Sequence, residues 1–377
     1  MMPKSWLLLS LLLAGPAWSN AAEAGGAVIN LHPRDPSLRH EVSRAIEKGQ
    51  AWIASHQGSN GEWSSPDYPA VTALALSALR AAPGGTEAPP TVTRAGYDFL
   101  LSCVQADGGI YRKDLSGYNT SISLTALVLA NRREWRPVIL RARNFVAGLQ
   151  TPSGGIGYGK TEKEPDLSNT SWAVEALALS KAWLAGELPP EAKELDWQAA
   201  VAFIQSCQNL PGTNQAAWAA GDAANQGGFI YAPGASKAGE TNLAGGKVAL
   251  RSYGSMSYAG LMSYLYADLK PDDGRVRAVV DWLGGNFSLE ENPGMGAQGL
   301  YYYYHTMAKA LTVYGSDTLP AAGGRAIAWR SPLALKLINL QHPDGSWSND
   351  NGRWFEKDPV LVTAYSVLAL KFIVTRL

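Results

Sequence analysis

Cysteine is nearly missing from this chain: only Cys103 and Cys207 occur in 377 residues. That excludes a disulfide-stapled scaffold and any cysteine-rich metal fold. The two follow Phe99 and Phe203 at the same spacing, in units separated by a whole repeat. This predicts buried free thiols, because a bridge needs Cα atoms within about 4.4–6.8 Å. An excess of charge is missing too. Lys plus Arg number 32 and Asp plus Glu number 32, with no basic run or stripe. A nucleic-acid partner is therefore not expected. No apolar stretch reaches the roughly 20 residues of a membrane-spanning helix. The longest near the start, Trp6 to Ala14, follows Lys4 and precedes the small residues Ser19, Ala21 and Ala22. That is the pattern of a cleaved export signal. No cysteine follows Ala14-Gly15, so the lipid-anchored form of the signal is not expected. The expected organisation is a signal peptide over residues 1–22, a lead-in over 23–40 and one folded unit over 41–377. The expected location is the periplasm or the exterior.

Glycine and aromatic residues, by contrast, are abundant, and they recur in register. Four turns read Gln-x-x-x-Gly-x-aromatic or close to it. They are Gln57 to Trp63, Gln105 to Tyr111, Gln150 to Tyr158 and Gln341-His342-Pro343-Asp344-Gly345-Ser346-Trp347. A looser copy pairs Gln208 with Gly227-Gly228-Phe229 after a long insertion. A period of roughly 45–60 residues signals a repeat architecture. Before each turn lies an amphipathic helix pattern, as over 93–104, 137–149 and 327–340, with apolar residues three and four apart. After each lies an almost uncharged one, such as Val71 to Leu79, Thr170 to Ser180, His305 to Tyr314 and Val360 to Ile373. Helices apolar all round must be buried on every side. The solution is an all-α, α/α toroid of six helical hairpins, with an inner ring of apolar helices inside an outer amphipathic ring. The stretch from Leu210 to Ala249 interrupts the pattern and is expected to fold over one end.

The Gln-x-Asp-Gly-x-Trp turns, the inner Thr-Ala-Leu-x-Leu-x-Ala-Leu helices and the six-fold count resemble the prenyltransferase and squalene oxidase repeat. That family includes the single toroid of protein prenyltransferase β subunits and the double toroid of squalene–hopene cyclases; this chain has room for one toroid. In the prenyltransferases a Tyr-His-Thr supplies a zinc-binding histidine, and His305 matches it. The other two ligands would fall at Arg251 and Tyr253, which are no zinc set. No zinc or other cofactor is expected. The cyclase Asp-x-Asp-Asp acid is not present either, since Asp272-Asp273 reads as a helix cap. Gly294-Met295-Gly296-Ala297-Gln298-Gly299 spells a dinucleotide-binding motif, but without a strand before it the motif reads as a turn.

The candidates for chemistry follow from position. Tyr301, Tyr302, Tyr303 and Tyr304 with His305 lead into the fifth inner helix, at the mouth of a central cavity. His305 and Tyr304 are the expected acid–base pair, with Asp358 as a third catalytic candidate. Asp67, Asp166 and Asp358 stand before inner helices, where they cap backbone amides or ring a ligand. Arg251, Tyr253, Tyr258, Tyr301, Tyr303, Trp354, Asp67 and Asp166 are the expected ligand contacts. Three functions compete. The first is an exported toroid that binds or acts on an isoprenoid-like or other apolar ligand in an aromatic cavity. The second is a polysaccharide-active, lyase-like enzyme using Tyr and His, with Arg251 and Arg353 facing an acidic glycan. The third is a scaffold module with a protein partner on the cell envelope.

Overall fold

The computed structural model describes residues 35–377, apart from 83, 84, 86, 87, 161–163, 185–187 and 220. The expected signal peptide lies outside the described residues. Six outer helices alternate with six inner ones. The outer set is α1 (Pro36–Ser55), α3 (Pro90–Ser102), α5 (Arg136–Ala147), α7 (Trp197–Ser206), α9 (Gly274–Gly285) and α11 (Arg330–Leu340). The inner set is α2 (Pro69–Leu79), α4 (Ser116–Ala130), α6 (Leu167–Trp183), α8 (Gly254–Tyr266), α10 (Leu300–Tyr314) and α12 (Pro359–Val374). Each inner helix packs on the next, and α12 packs back on α2, so the ring is closed. The outer helices lie in the grooves between inner neighbours; α1, for example, packs on both α12 and α2. The inner helices are buried along almost their whole length, as their lack of a polar face requires.

The repeated turns are the stitches of this ring. In five of them a glycine takes φ between +91° and +97° (Gly61, Gly108, Gly154, Gly227 and Gly345). At Gly154 a Cβ would stand 2.0 Å from the Ala199 carbonyl oxygen of the next outer helix, and at Gly345 it would stand 2.6 Å from that of Lys48. No other residue tolerates both that backbone and that approach. The glutamines work across the same seam. Gln150 Nε2 donates to the carbonyls of Gly154 and Asp196. Gln341 Nε2 donates to those of Gly345 and Ala45, which joins the last hairpin to the first. Each of these two glutamines thus bonds from hairpin to hairpin. Gln105 alone keeps both bonds within its own hairpin, to Cys103 and Tyr111. The residue two positions after the glycine is held by an inner-helix hydroxyl: Trp63 N by Thr72, Ile110 N by Thr120, Ile156 N by Thr170 and Trp347 N by Thr363.

The fifth hairpin differs. It has no glutamine stitch, and a small antiparallel hairpin, β3 (Thr318–Ala321) with β4 (Arg325–Ala328), packs on α9. The insertion before α8 carries a similar hairpin, β1 (Glu240–Asn242) with β2 (Val248–Leu250). Helix α10 begins at Leu300, so the tyrosine run forms its first turn instead of a lead-in. Glu356 makes this possible by accepting hydrogen bonds from the amides of Tyr301 (3.3 Å) and Tyr302 (2.8 Å). Cys103 and Cys207 are buried free thiols. Asp273 caps α9 by accepting from Arg275 N. No described helix is long and apolar enough to cross a membrane.

Candidate functional site

All six inner helices start at the same end of the ring, and a cavity of about 210 Å³ opens there. Its wall is aromatic. Tyr118 of α4, Trp172 of α6, Tyr302 of α10 and Tyr365 of α12 pack as one cluster, with ring centroids 5.9–6.4 Å apart. Tyr158 and Tyr231 add a second side, joined by a hydroxyl–hydroxyl hydrogen bond of 3.2 Å. Tyr231 comes from the insertion, which folds over this end as expected and bonds back through its carbonyl to Leu167 N. Trp354 and Phe355 form the lip, where they are 39% and 61% exposed. Strain gathers here. Of the six non-glycine residues with positive φ among the described residues, four line the cavity: Ser64, Leu115, Trp354 and Phe355. Residues held in such a conformation cost about 1–3 kcal/mol each and cluster at functional sites.

The titratable groups lie around and beneath this wall. Burial pushes the Asp166 carboxyl up to about 6, although hydrogen bonds from Asn169 and Tyr231 pull it back. Its oxygens cap α6 by accepting from Asn169 N and Nδ2. Burial also raises the Glu356 carboxyl, against the hydrogen bonds it accepts from the α10 amides. Asp358 caps α12 and accepts a bond from the Ser64 hydroxyl. Below the aromatic cluster, His305 is sandwiched between Trp172 (6.1 Å, 15°) and Tyr365 (5.3 Å, 22°). Neither of its ring nitrogens has a partner among the described residues. Burial and then the Lys309 charge drive its pKa well below the usual value, so the imidazole is neutral at pH 7. Under it, Lys309 and Glu175 form a buried ion pair of 2.6 Å, with Lys309 Nζ 4.6 Å from the Trp172 ring.

The sequence candidates divide sharply. Tyr253, Trp354 and Asp358 line the cavity, and Asp166 stands behind Tyr231 at its edge. His305 touches the cavity only through the rings that cover it. Tyr303 and Tyr304 turn outwards and donate to the carbonyls of Ser288 and Leu289. Tyr301 packs on Tyr304, and Tyr258 on Tyr303. Asp67 caps nothing, since Tyr68 holds the cap position of α2. Arg251 is exposed on the insertion and does not line the cavity. Sequence reasoning missed Tyr68, Tyr118, Trp172, Tyr231 and Tyr365. For Tyr68, Tyr118, Trp172 and Tyr365 the signal available was an aromatic residue near the start of a small-residue inner helix, whereas Tyr231 lies in the insertion and carries no such signal. Among the described residues, no three His, Cys, Asp or Glu side chains are grouped to hold a metal.

No protein-family model and no curated protein sequence matches the chain. Solved structures do. The type II terpene cyclase MstE from Scytonema, bound to its substrate geranylgeranyl dihydroxybenzoate, aligns over 90% of this chain and 99% of its own. The TM-score is 0.54 at 12% identity. The ring has a terpenoid-cyclase-like fold. The ligand-free cyclase aligns over 90% of this chain and 100% of its own, with a TM-score of 0.52 at 13% identity. A protein from Actinoplanes aligns over 88% of this chain and 99% of its own, with a TM-score of 0.52 at 15% identity. Identity at this level speaks for the helical toroid and leaves the chemistry to the cavity itself.

Proposed function

We propose that this chain is an exported toroid that holds an isoprenoid-like ligand in its central cavity. The aromatic wall around Tyr118, Trp172, Tyr302 and Tyr365 carries this reading, because a closed apolar ring with an open aromatic end is the concave site a branched hydrocarbon fits. The cavity is below the roughly 300–1,000 Å³ of ordinary small-molecule sites. It therefore suits a short prenyl chain, or a longer one that leaves through the lip at Trp354 and Phe355. The geranylgeranyl substrate of MstE supports the same class of ligand. The N-terminal pattern of Lys4, the Trp6 to Ala14 stretch and Ala21-Ala22 supports export.

The test is solvent extraction of the protein purified without its first 22 residues, followed by mass spectrometry, alongside quenching of its tryptophan fluorescence by farnesol. Val71→Trp, at a half-buried wall position, fills the cavity. It is expected to abolish both the extracted prenyl lipid and the quenching while the circular dichroism stays that of the parent. Equal quenching in the parent and a folded Val71→Trp protein places the ligand elsewhere and sinks the reading.

A further inference from the structure

A ring with six helix N-termini at its mouth is, on first principles, a place for a phosphate group, because free first-turn amides and the helix dipoles attract anions. In this ring the amides are spoken for. Ala70 N of α2 donates to Asn119 Oδ1 (3.0 Å) and Gly117 N of α4 to the Tyr158 carbonyl (2.7 Å). Asn169 N of α6 donates to Asp166, and Ser255 N of α8 to Asn292 Oδ1 (2.9 Å). The first turns of α10 and α12 are closed by Glu356 and Asp358. Three of the six caps are carboxylates, and two of these, Glu356 and Asp358, line the cavity itself. Among the described residues that line it, none is Lys, Arg or His. A diphosphate placed here would find used donors and like charge on the wall itself, while the nearby cations Lys237 and Arg353 are stacked on the Tyr231 and Trp354 rings.

Two tyrosine hydroxyls on the cavity wall, those of Tyr68 and Tyr253, make no hydrogen bond to a described residue, and of the two only Tyr253 is buried. Tyr253 is 2% exposed and lines the cavity, yet its hydroxyl makes no hydrogen bond to any described residue. The Tyr231 and Ser64 hydroxyls, in contrast, are already bonded to Tyr158 and Asp358. A buried hydroxyl facing a cavity is stabilised when a ligand supplies the missing partner.

We propose that the ligand is an uncharged prenyl compound with a hydroxyl or carbonyl group bonded to Tyr253, and that prenyl diphosphates are excluded. This rests on the reading of the cavity as an isoprenoid site and narrows it to one class. Farnesol, farnesyl diphosphate and farnesene separate the possibilities in a fluorescence titration of the full mature chain. Farnesol is expected to bind best, farnesene several-fold more weakly, and farnesyl diphosphate at least ten-fold more weakly than farnesol. Tyr253→Phe should weaken farnesol by about two- to ten-fold, the range of one neutral hydrogen bond, and leave farnesene unchanged. A purely structural role for Tyr253 would move both ligands together, which would overturn the assignment. Diphosphate binding as tight as that of farnesol would overturn the exclusion while leaving the isoprenoid site standing. Failure of all three to bind would remove the isoprenoid reading and this narrowing with it.

Discussion

The third and fifth hairpins solve the same problem in opposite ways. In the third, Gln150 and Gly154 bond and press directly on the next outer helix, and Thr170 holds the turn from below. In the fifth, the turn has no such seam. Its loop is tied from inside the ring instead, by the hydroxyls of Tyr303 and Tyr304 reaching the carbonyls of Ser288 and Leu289. A departure from a repeat invites a catalytic interpretation, and the tyrosine run looked like one. Two of its four tyrosines, Tyr303 and Tyr304, turn out to be the replacement stitch, and only Tyr302 reaches the cavity wall. A broken repeat therefore has to be checked for a substitute contact before it is read as a site.

That contrast can be broken most forcefully at the glycines. Gly154→Ala forces a Cβ against the Ala199 carbonyl in a positive-φ backbone, and should cost about 3 kcal/mol in urea denaturation. Gly296→Ala in the fifth loop has φ +60° and open space around the new Cβ, and should cost only about 1 kcal/mol. Equal losses would mean that both turns carry the same load. A second effect belongs to the third hairpin alone, through Asp166. Its folded pKa of about 6 lies above that of an unfolded aspartate. The folded protein therefore binds more protons between about pH 4 and 6, and stability falls as pH rises through that window, then levels off. The difference between the parent and Asp166→Asn should change by about 2–3 kcal/mol between pH 4 and pH 7.5, with the parent losing ground at the higher pH. A flat difference would show that the carboxyl is solvated. The smallest effect is expected at Tyr304→Phe, which removes one hydrogen bond worth about 1 kcal/mol. It should leave farnesol quenching as it was, because Tyr304 does not line the cavity. A lost ligand signal with intact stability would return Tyr304 to the site.

The turns were readable because their requirements are local. A positive-φ glycine, a following aromatic and a threonine near the start of the next helix must occur in order along the chain, whatever lies around them. The stitched partners were not readable, since Gln341 meets Ala45 only after the ring closes. The start of α10 was read late, at His305, because Leu300 is brought into the helix by a left-handed residue, Gly299. At α10 the Glu356 carboxylate from a distant segment completes the first turn.

The sequence by itself determined the architecture: apolar periodicity without a polar face forces burial on all sides, and six alternations of such helices with amphipathic ones leave a closed double ring as the solution. The tertiary structure alone decided which side chains meet in the cavity. On an inner helix that is apolar all round, nothing in the pattern distinguishes the direction of the ring axis from that of a neighbouring helix. Tyr302 and Tyr304 stand two residues apart in one tyrosine run, and only the rotation of α10 against its neighbours turns one to the cavity and the other to a loop carbonyl.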